Sequence, residues 1–176
     1  QYAHGNEPSH HMAYLYNYIG KPWKTQALVH RVLDSLYQTT FDGLPGNEDC
    51  GQMSAWYVWS ALGLYPVTPG GKDFAISSPL FEKALIRLEN GKQIEIRVKK
   101  PSAKAIYLKS LRWNGKPWDQ NLISFDRLEN GCQLEAELSE KPEQGRGRGM
   151  AKTDRLQEAG FVEAPFIETE SRFFAD

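Results

Sequence analysis

The sequence has little cysteine, no long hydrophobic run and almost no net charge, and each of these absences disfavours a class of protein. Cys50 and Cys132 allow one disulfide at most, and because they lie in segments assigned to different domains, we expect two free thiols. The net charge of -1, with lysine and arginine scattered, lacks the basic face that phosphate backbones require, so no nucleic-acid partner is expected. Without a run of about 18 apolar residues, no membrane-spanning segment is expected.

The chain also lacks an initiating methionine and a signal-peptide pattern. It begins at Gln1, inside a stretch that already has the form of a motif, and we therefore expect a piece of a longer polypeptide. A missing targeting signal then indicates nothing about the compartment. The composition is 40% apolar and 12% aromatic, which is enough to bury a core in one or two domains.

Two polar, turn-forming stretches present acids at the start of a helical segment. Residues 42–57 contain glycines and a proline that let the backbone bend, followed by an amide and two acids at 47–49. Residues 5–11 repeat this device, with Asn6 and Glu7 ahead of a proline that can open a helix. If the two helix ends meet, they form a pocket of oxygen ligands and acid/base groups.

Glu7 and Asp49 are the carboxylates best placed to have a function. An acid ahead of a helix can act as a base, bind a hard cation, or only cap the helix, and for either residue alone a cap is favoured. Both stretches also supply asparagine and main-chain carbonyls, which are calcium ligands, and this makes a site as well supported as a cap. For Glu48 a surface charge or a cap is favoured over catalysis.

The histidines and the tryptophans admit both functional and structural interpretations. His4, His10 and His11 raise the possibility of zinc, but no His-Glu-x-x-His sequence is present, so zinc is disfavoured. One of these imidazoles either binds a substrate hydroxyl or orients Glu7, or it packs without a function. Trp56 lies with other aromatic residues on an apolar helix, where core packing is favoured over a sugar-stacking platform.

Three helices are predicted from apolar spacing, at residues 8–20, 22–37 and 51–64. Apolar side chains at the spacing of one helical face support the first of them: Met12, Leu15, Tyr16 and Ile19. The second has an apolar stripe that leaves His30 among the more exposed residues. The third is apolar around nearly its whole circumference and needs more neighbours than two helices supply, so we expect further helices upstream.

Prolines and glycines at residues 65–71 end the helical period, and a β-rich region follows. Three Asn-Gly pairs, at 90–91, 114–115 and 130–131, predict hairpin turns. The predicted strands, which would form an antiparallel sheet or sandwich, are residues 74–77, 84–89, 93–99, 105–109, 110–113, 123–125 and 132–138. Beyond Pro142, the stretch 145–149 is expected to be flexible, and the rest to be a loosely docked tail.

Two long loop motifs resemble one enzyme family. They are Gly-Asn-Glu-Pro-Ser-His-His at residues 5–11 and Gly-Leu-Pro-Gly-Asn-Glu-Asp-Cys-Gly-Gln-Met-Ser-Ala-Trp-Tyr-Val at residues 43–58. Together with Ala-Leu-Gly-Leu-Tyr-Pro-Val-Thr-Pro-Gly at residues 61–70, they resemble the C-terminal part of the glycoside hydrolase family 92 α-mannosidases. The resemblance covers residues 1–142.

The resemblance implies an α+β multidomain fold, with helices of a partial (α/α)6 barrel at 1–70 and an antiparallel β-sandwich-like domain at 71–142. The loosely ordered tail expected at 143–176 lies outside the resemblance. It implies calcium-dependent, inverting, exo-acting hydrolysis of terminal α-linked mannose on a glycan, with the α-1,2 linkage favoured. The enzyme would be secreted or periplasmic. The general acid would lie upstream of Gln1 in the same polypeptide, and the isolated chain would then be inactive.

The resemblance also assigns roles to residues of the two motifs. Asp49 is implied as the general base, with Asn47 beside it as a catalytic-site residue. Many family members have aspartate at the position of Asn47, which leaves Asn47 as a polar partner or ligand rather than a shared base. The remaining assignments are substrate binding for His10, His11 and Gln52, and calcium binding for Glu7, Asp49 and the carbonyl of Asn6.

Two other functions remain open on the residues alone. The chain could be a non-catalytic carbohydrate-binding or structural β module, in which Glu7 and Asp49 only cap helices. It could also belong to another (α/α)6 hydrolase or lyase that acts on a different glycan.

Overall fold

A computed structural model describes residues 2–147 of the chain. Within this range the chain forms short 3₁₀ segments, α-helices and strands in a mixed α+β arrangement. The 3₁₀ helices are Glu7–Ser9 and Met12–Asn17, and the α-helices are α1 (Pro22–Leu36), α2 (Gln52–Ala61) and α3 (Phe125–Leu128). The strands are β1 (Leu64–Tyr65), β2 (Asp73–Ile76), β3 (Lys83–Arg87), β4 (Gln93–Lys99), β5 (Tyr107–Trp113), β6 (Lys116–Pro117), β7 (Leu122–Ser124) and β8 (Cys132–Ser139).

The predicted helices at 22–37 and 51–64 are confirmed by α1 and α2, but the helix predicted at 8–20 is wrong. That segment is divided into two 3₁₀ pieces, and the first of them is tied to the preceding residues by the Ser9 hydroxyl, which donates to the main-chain carbonyls of Ala3 and Asn6. The apolar residues that suggested the helix, Met12, Leu15 and Ile19, are 37–46% exposed. Buried instead are Ala13, Tyr14 and Asn17.

The strands form two sheets, with orders β1-β2-β7 and β3-β4-β8-β5-β6. All pairs are antiparallel except β4 with β8, which is parallel. The prediction of an antiparallel arrangement is therefore wrong for this central pair. The 105–109 and 110–113 segments, predicted as two strands, form the single strand β5 with an irregularity between Leu108 and Ser110.

Two of the three Asn-Gly pairs form hairpins, as predicted. Asn90-Gly91 joins β3 to β4, and Asn114-Gly115 joins β5 to β6. The third prediction is wrong, because Gly131 follows α3 instead of connecting paired strands. It adopts a φ of 75°, and its N–H donates to Leu128, so this glycine ends a helical turn. The strand that follows can then enter the sheet parallel to β4.

Helix α1 packs on the five-stranded sheet through buried polar side chains. Gln26 accepts a hydrogen bond from the Leu108 N–H at 3.1 Å, and His30 Nε2 donates to the Ser78 carbonyl at 3.2 Å. His30 is 2% exposed, so the prediction that it faces solvent is wrong. Its bond to the sheet region offsets the cost of burying a polar ring.

The start of the predicted tail is packed against the sheet region. Arg146 is buried and donates to the Trp118 carbonyl at 3.1 Å, and the Gly147 carbonyl accepts from Asn121 at 3.0 Å. The prediction of flexibility at 145–149 is therefore wrong for these two residues. Most of the predicted tail, residues 148–176, lies outside the described residues. Among residues 2–147, none of the helices has the length and apolar character needed to cross a membrane.

Candidate active site

The two acidic loops are in direct main-chain contact through Gly5 and Gly46. A Cβ on Gly5 would overlap the carbonyl oxygen of Pro45, and a Cβ on Gly46 would overlap the carbonyl oxygen of Gly5. Only glycine permits this approach, because any side chain at either position would force the loops apart. The contact brings the 5–11 loop against the 42–51 loop, and we call this junction the loop seam.

Glu7 has a carboxylate oxygen without a hydrogen-bond partner. Its Oε1 is buried and unpaired among residues 2–147, an expensive arrangement for a polar atom. The neighbouring Asn6 has an exposed side chain, but its main-chain carbonyl accepts from both the N–H and the hydroxyl of Ser9, at 3.0 and 2.8 Å. A contribution of Asn6 to a cation would therefore come from its side-chain amide oxygen.

Asp49 occupies a backbone conformation that non-glycine residues seldom adopt. Asp49, Cys50 and Gly51 have successive φ values of 39°, 57° and 86°, in the left-handed region. The Asp49 side chain is exposed, and within the described part of the chain no hydrogen bond or ion pair engages its carboxylate. Such strain is concentrated at functional sites in proteins.

Glu48 caps helix α2, as the sequence favoured. Its two carboxylate oxygens accept from the N–H and the hydroxyl of Ser54, at 3.1 and 2.9 Å. Among residues 2–147, the side-chain bonds that cap this helix thus come from Glu48 and not from Asp49.

His10 links the 5–11 loop to the start of helix α2. It is 1% exposed, its Nε2 lies 3.0 Å from the His4 carbonyl, and its Nδ1 lies 3.2 Å from Gln52 Nε2. Trp56 donates to the His10 carbonyl at 3.1 Å. Burial lowers the pKa of His10, while the bond to His4 and the charge of Glu7 act in the opposite direction. Protein groups thus lie within hydrogen-bonding distance of both ring nitrogens of His10, the residue predicted to bind substrate.

His4 packs against His10 and belongs to a chain of partly buried hydrogen bonds that the sequence did not indicate. Its ring stacks on that of His10 with centroids 4.8 Å apart, and it is bonded to the Tyr2 and Tyr37 hydroxyls at 2.6 and 2.7 Å. Tyr37 donates onward to the Met53 carbonyl at 3.2 Å. Burial, reinforced by His10, lowers the pKa of His4 to about 4, so the imidazole is neutral at physiological pH.

The remaining predicted site residues, Asn47 and His11, have exposed side chains. Among residues 2–147, there is no group of three or more histidine, cysteine, aspartate or glutamate side chains arranged to hold a metal. A cation at the loop seam would therefore also need amide, main-chain or water oxygens, or ligands from another segment. Trp56 is fully buried, in agreement with the core role favoured for it.

The model of the glycosyl hydrolase family 92 catalytic domain matches residues 1–140. The chain belongs to this family. Its fold agrees, since it superposes on a family GH92 α-mannosidase of Bacteroides thetaiotaomicron with a TM-score of 0.80 and 45% identity, covering 82% of this chain and 20% of that one. The family GH92 inverting mannosidase of Bacteroides thetaiotaomicron VPI-5482 gives a TM-score of 0.77 and 44% identity, covering 83% and 20%.

A curated relative of this family 92 chain is an uncharacterized secreted glycosidase of Arthroderma benhamiae. It is 34% identical over 149 residues, which are 83% of this chain and 19% of the relative. The chain thus spans about a fifth of the length of the relatives it matches.

Proposed function

We propose that this chain is part of a calcium-dependent, inverting, exo-acting α-mannosidase that hydrolyses terminal α-linked mannose, with α-1,2 the favoured linkage. The main-chain contact of Gly5 with the Pro45-Gly46 loop carries the proposal. It joins the loop of Glu7 to the loop of Asp49, two carboxylates that are 42 positions apart in the sequence. Family membership and a relative described as an inverting mannosidase support it.

In this proposal Asp49 is the general base. An inverting glycosidase needs a carboxylate that takes a proton from water on one face of the sugar, and a carboxylic acid about 6.5–9.5 Å away that protonates the leaving oxygen. An exposed carboxylate without protein partners can accept that proton, whereas Glu48 is engaged by Ser54. We assign the acid to the polypeptide upstream of Gln1.

Calcium would be held by Glu7, the Asn6 side chain and Asp49. The unpaired, buried Oε1 of Glu7 fits a cation, because a bound ion would supply the interaction that the protein does not, and calcium prefers oxygen ligands. Calcium bound there would polarise and orient sugar hydroxyls. Gln52, His11 and Asn47 would contact the sugar or border the site.

We further propose that residues 1–70 belong to an (α/α)6 barrel completed by upstream helices, and residues 71–142 to a β-sandwich-like domain. The exposure of Met12, Leu15 and Ile19, together with Val58 on α2, supports burial of this surface by further helices. The isolated chain would then lack both the acid and a closed barrel and would release no mannose. Secretion or a periplasmic location is consistent with the secreted relative.

The test uses the full-length enzyme on mannobioses with 1,2, 1,3, 1,4 and 1,6 linkages. We expect hydrolysis of the α-1,2 substrate, loss of activity with a calcium chelator and recovery on adding calcium. Proton NMR should detect β-mannose as the first product. Asp49→Asn should lower kcat by about 10²- to 10⁴-fold. Release of α-mannose first, or full activity in Asp49→Asn, would disprove the inverting mechanism with Asp49 as the base. Mannose release by residues 1–176 alone would disprove the proposal that the general acid lies upstream of Gln1.

A further inference from the structure

Gln52 is hydrogen-bonded to both His10 and Asp49. The side chain of Gln52 bonds the His10 ring, and the main-chain N–H of Gln52 bonds the Asp49 carbonyl. The Gln52 side-chain amide lies 3.2 Å from His10 Nδ1, and the Gln52 N–H donates to the Asp49 carbonyl at 3.2 Å. Gln52 is also the first residue of α2. It therefore lies between a buried imidazole and the strained residue proposed as the base.

The direction of each bond follows from the chemistry of its partners. The His4 carbonyl only accepts, so His10 Nε2 carries the proton and donates to it. In the neutral ring Nδ1 is then an acceptor, and the Gln52 amide must donate to it. This arrangement fixes the amide of Gln52 in one orientation.

His10 is itself immobile. Its side chain is 1% exposed, its ring stacks on His4, and its main-chain carbonyl accepts from Trp56. Because His10 is already ordered by these contacts, the bond to Gln52 costs little further entropy on the His10 side, and Gln52 has a rigid support.

Asp49 needs a restraint of this kind. A φ of 39° is unfavourable for a residue with a Cβ, and an aspartate that left this conformation would redirect its carboxylate. We propose that His10 is a positioning residue that, through Gln52, holds Asp49 in its left-handed conformation. This inference rests on the proposed function, in which the Asp49 carboxylate activates water.

Two substitutions of His10 distinguish the effect of its bond to Gln52 from the effect of its bond to His4. His10→Asn offers a side-chain oxygen near the position of Nδ1 for the Gln52 amide, but it loses the donor to His4. His10→Gln offers an amide near the position of Nε2 for His4, but it loses the acceptor for Gln52. Because a small misplacement of a reacting group is costly, kcat should fall about 10- to 100-fold in His10→Gln. His10→Asn should retain most of kcat, and KM should change little in either variant.

The experiment measures kcat, KM and thermal stability in the full-length enzyme. His30→Gln and His30→Asn are matched controls, because His30 is also buried and bonded to a main-chain carbonyl, but it contacts the sheet region. Both should leave kcat unchanged. Gln52→Met should lower kcat at least as far as His10→Gln, because it removes the side-chain bond to Tyr65 as well as the bond to His10. Adding His10→Gln to Gln52→Met should lower kcat no further, since the bond between the two side chains is already absent.

Crystal structures provide a readout that does not depend on activity. We expect Asp49 to leave the left-handed region in His10→Gln or, should that variant not fold, in Gln52→Met. Three outcomes would overturn the inference: equal kcat in His10→Gln and His10→Asn, additive losses in the double variant, or an unchanged Asp49 φ. None of them disproves the mannosidase activity, which Asp49→Asn tests separately. If the parent enzyme releases no mannose, the proposed function fails, and the Asp49 φ still decides whether His10 holds this residue.

Discussion

Gly5 and Gly46 meet main chain to main chain, and neither position has room for a Cβ. This contact is the reason that two acidic loops from distant parts of the sequence form one junction. It also positions Glu7 relative to Glu48 and Asp49.

A methyl group added to Gly5 or Gly46 at the loop seam should therefore lower both stability and kcat. We expect Gly5→Ala or Gly46→Ala to cost about 1–3 kcal/mol of stability through overpacking and to lower kcat, because the loops must separate. Thermal unfolding and mannosidase assays of the full-length enzyme measure both effects. Gly145→Ala is the control, since nothing lies within 4 Å of a Cβ there. A Gly46→Ala enzyme with the stability and kcat of the parent would contradict the steric argument.

Substitution of Glu48 should lower stability, whereas substitution of the adjacent Asp49 should lower turnover. Glu48→Ala removes the cap on Ser54 and should lower stability by about 1 kcal/mol. Asp49→Asn removes the charge of an exposed carboxylate without protein partners and keeps a residue type that tolerates a left-handed φ, so stability should change by less than about 0.5 kcal/mol while turnover is lost. Chemical denaturation and steady-state kinetics test the pair, and a large loss of stability in Asp49→Asn would favour a structural role for the Asp49 carboxylate.

Removal of the charge on Glu7 should change stability in a direction that depends on whether calcium is bound. Without the ion, Glu7→Gln should be neutral or stabilising, because Oε1 is buried without a partner. With calcium, the parent should gain stability through binding that the variant lacks. Calorimetric titration with calcium and melting curves with and without a chelator measure these effects. Equal calcium affinity in parent and variant would exclude Glu7 as a ligand.

The buried His30 should make stability depend on pH. Burial lowers its pKa from the ordinary 6.5, with Lys100 acting in the same direction and Asp34 and the Ser78 bond opposing it. Just below pH 6.5 the unfolded state therefore binds more protons than the folded state, and stability falls as the pH is lowered. His30→Gln should make this decline shallower. Unfolding measured between pH 8 and 5 tests the slope, and parallel curves for parent and variant would contradict it.

The two cysteines should differ in reactivity. Both are free thiols, as expected from the sequence, and Cys50 is exposed whereas Cys132 is buried. Burial raises the pKa of Cys132 to about 11, so little thiolate forms at pH 8. Iodoacetamide at pH 8 should modify Cys50 first, as measured by mass spectrometry of peptides. Faster labelling of Cys132 in the native protein would show that its burial is incomplete.

Local patterns predicted part of the fold correctly. The apolar stripe of α1, the apolar α2 and the hairpins at Asn90-Gly91 and Asn114-Gly115 depend on periodicity and turn chemistry within a few residues. The buried face of the 8–20 segment was misassigned because Tyr14 and Asn17 are bonded to Ser60 and Ile76, which are 46 and 59 residues away in the sequence. His30 was misassigned because its partner, the Ser78 carbonyl, is 48 residues away in the sequence.

The sequence by itself determined the family, the two acidic loops and the residues that could act in them, because those motifs are continuous in the chain. Only the tertiary structure decided which acid caps α2, which histidine supports Gln52, and that the two loops touch. Those outcomes depend on long-range main-chain contacts and on burial. The approach of Gly5 to Gly46 arises when the whole chain packs, and no local pattern specifies it.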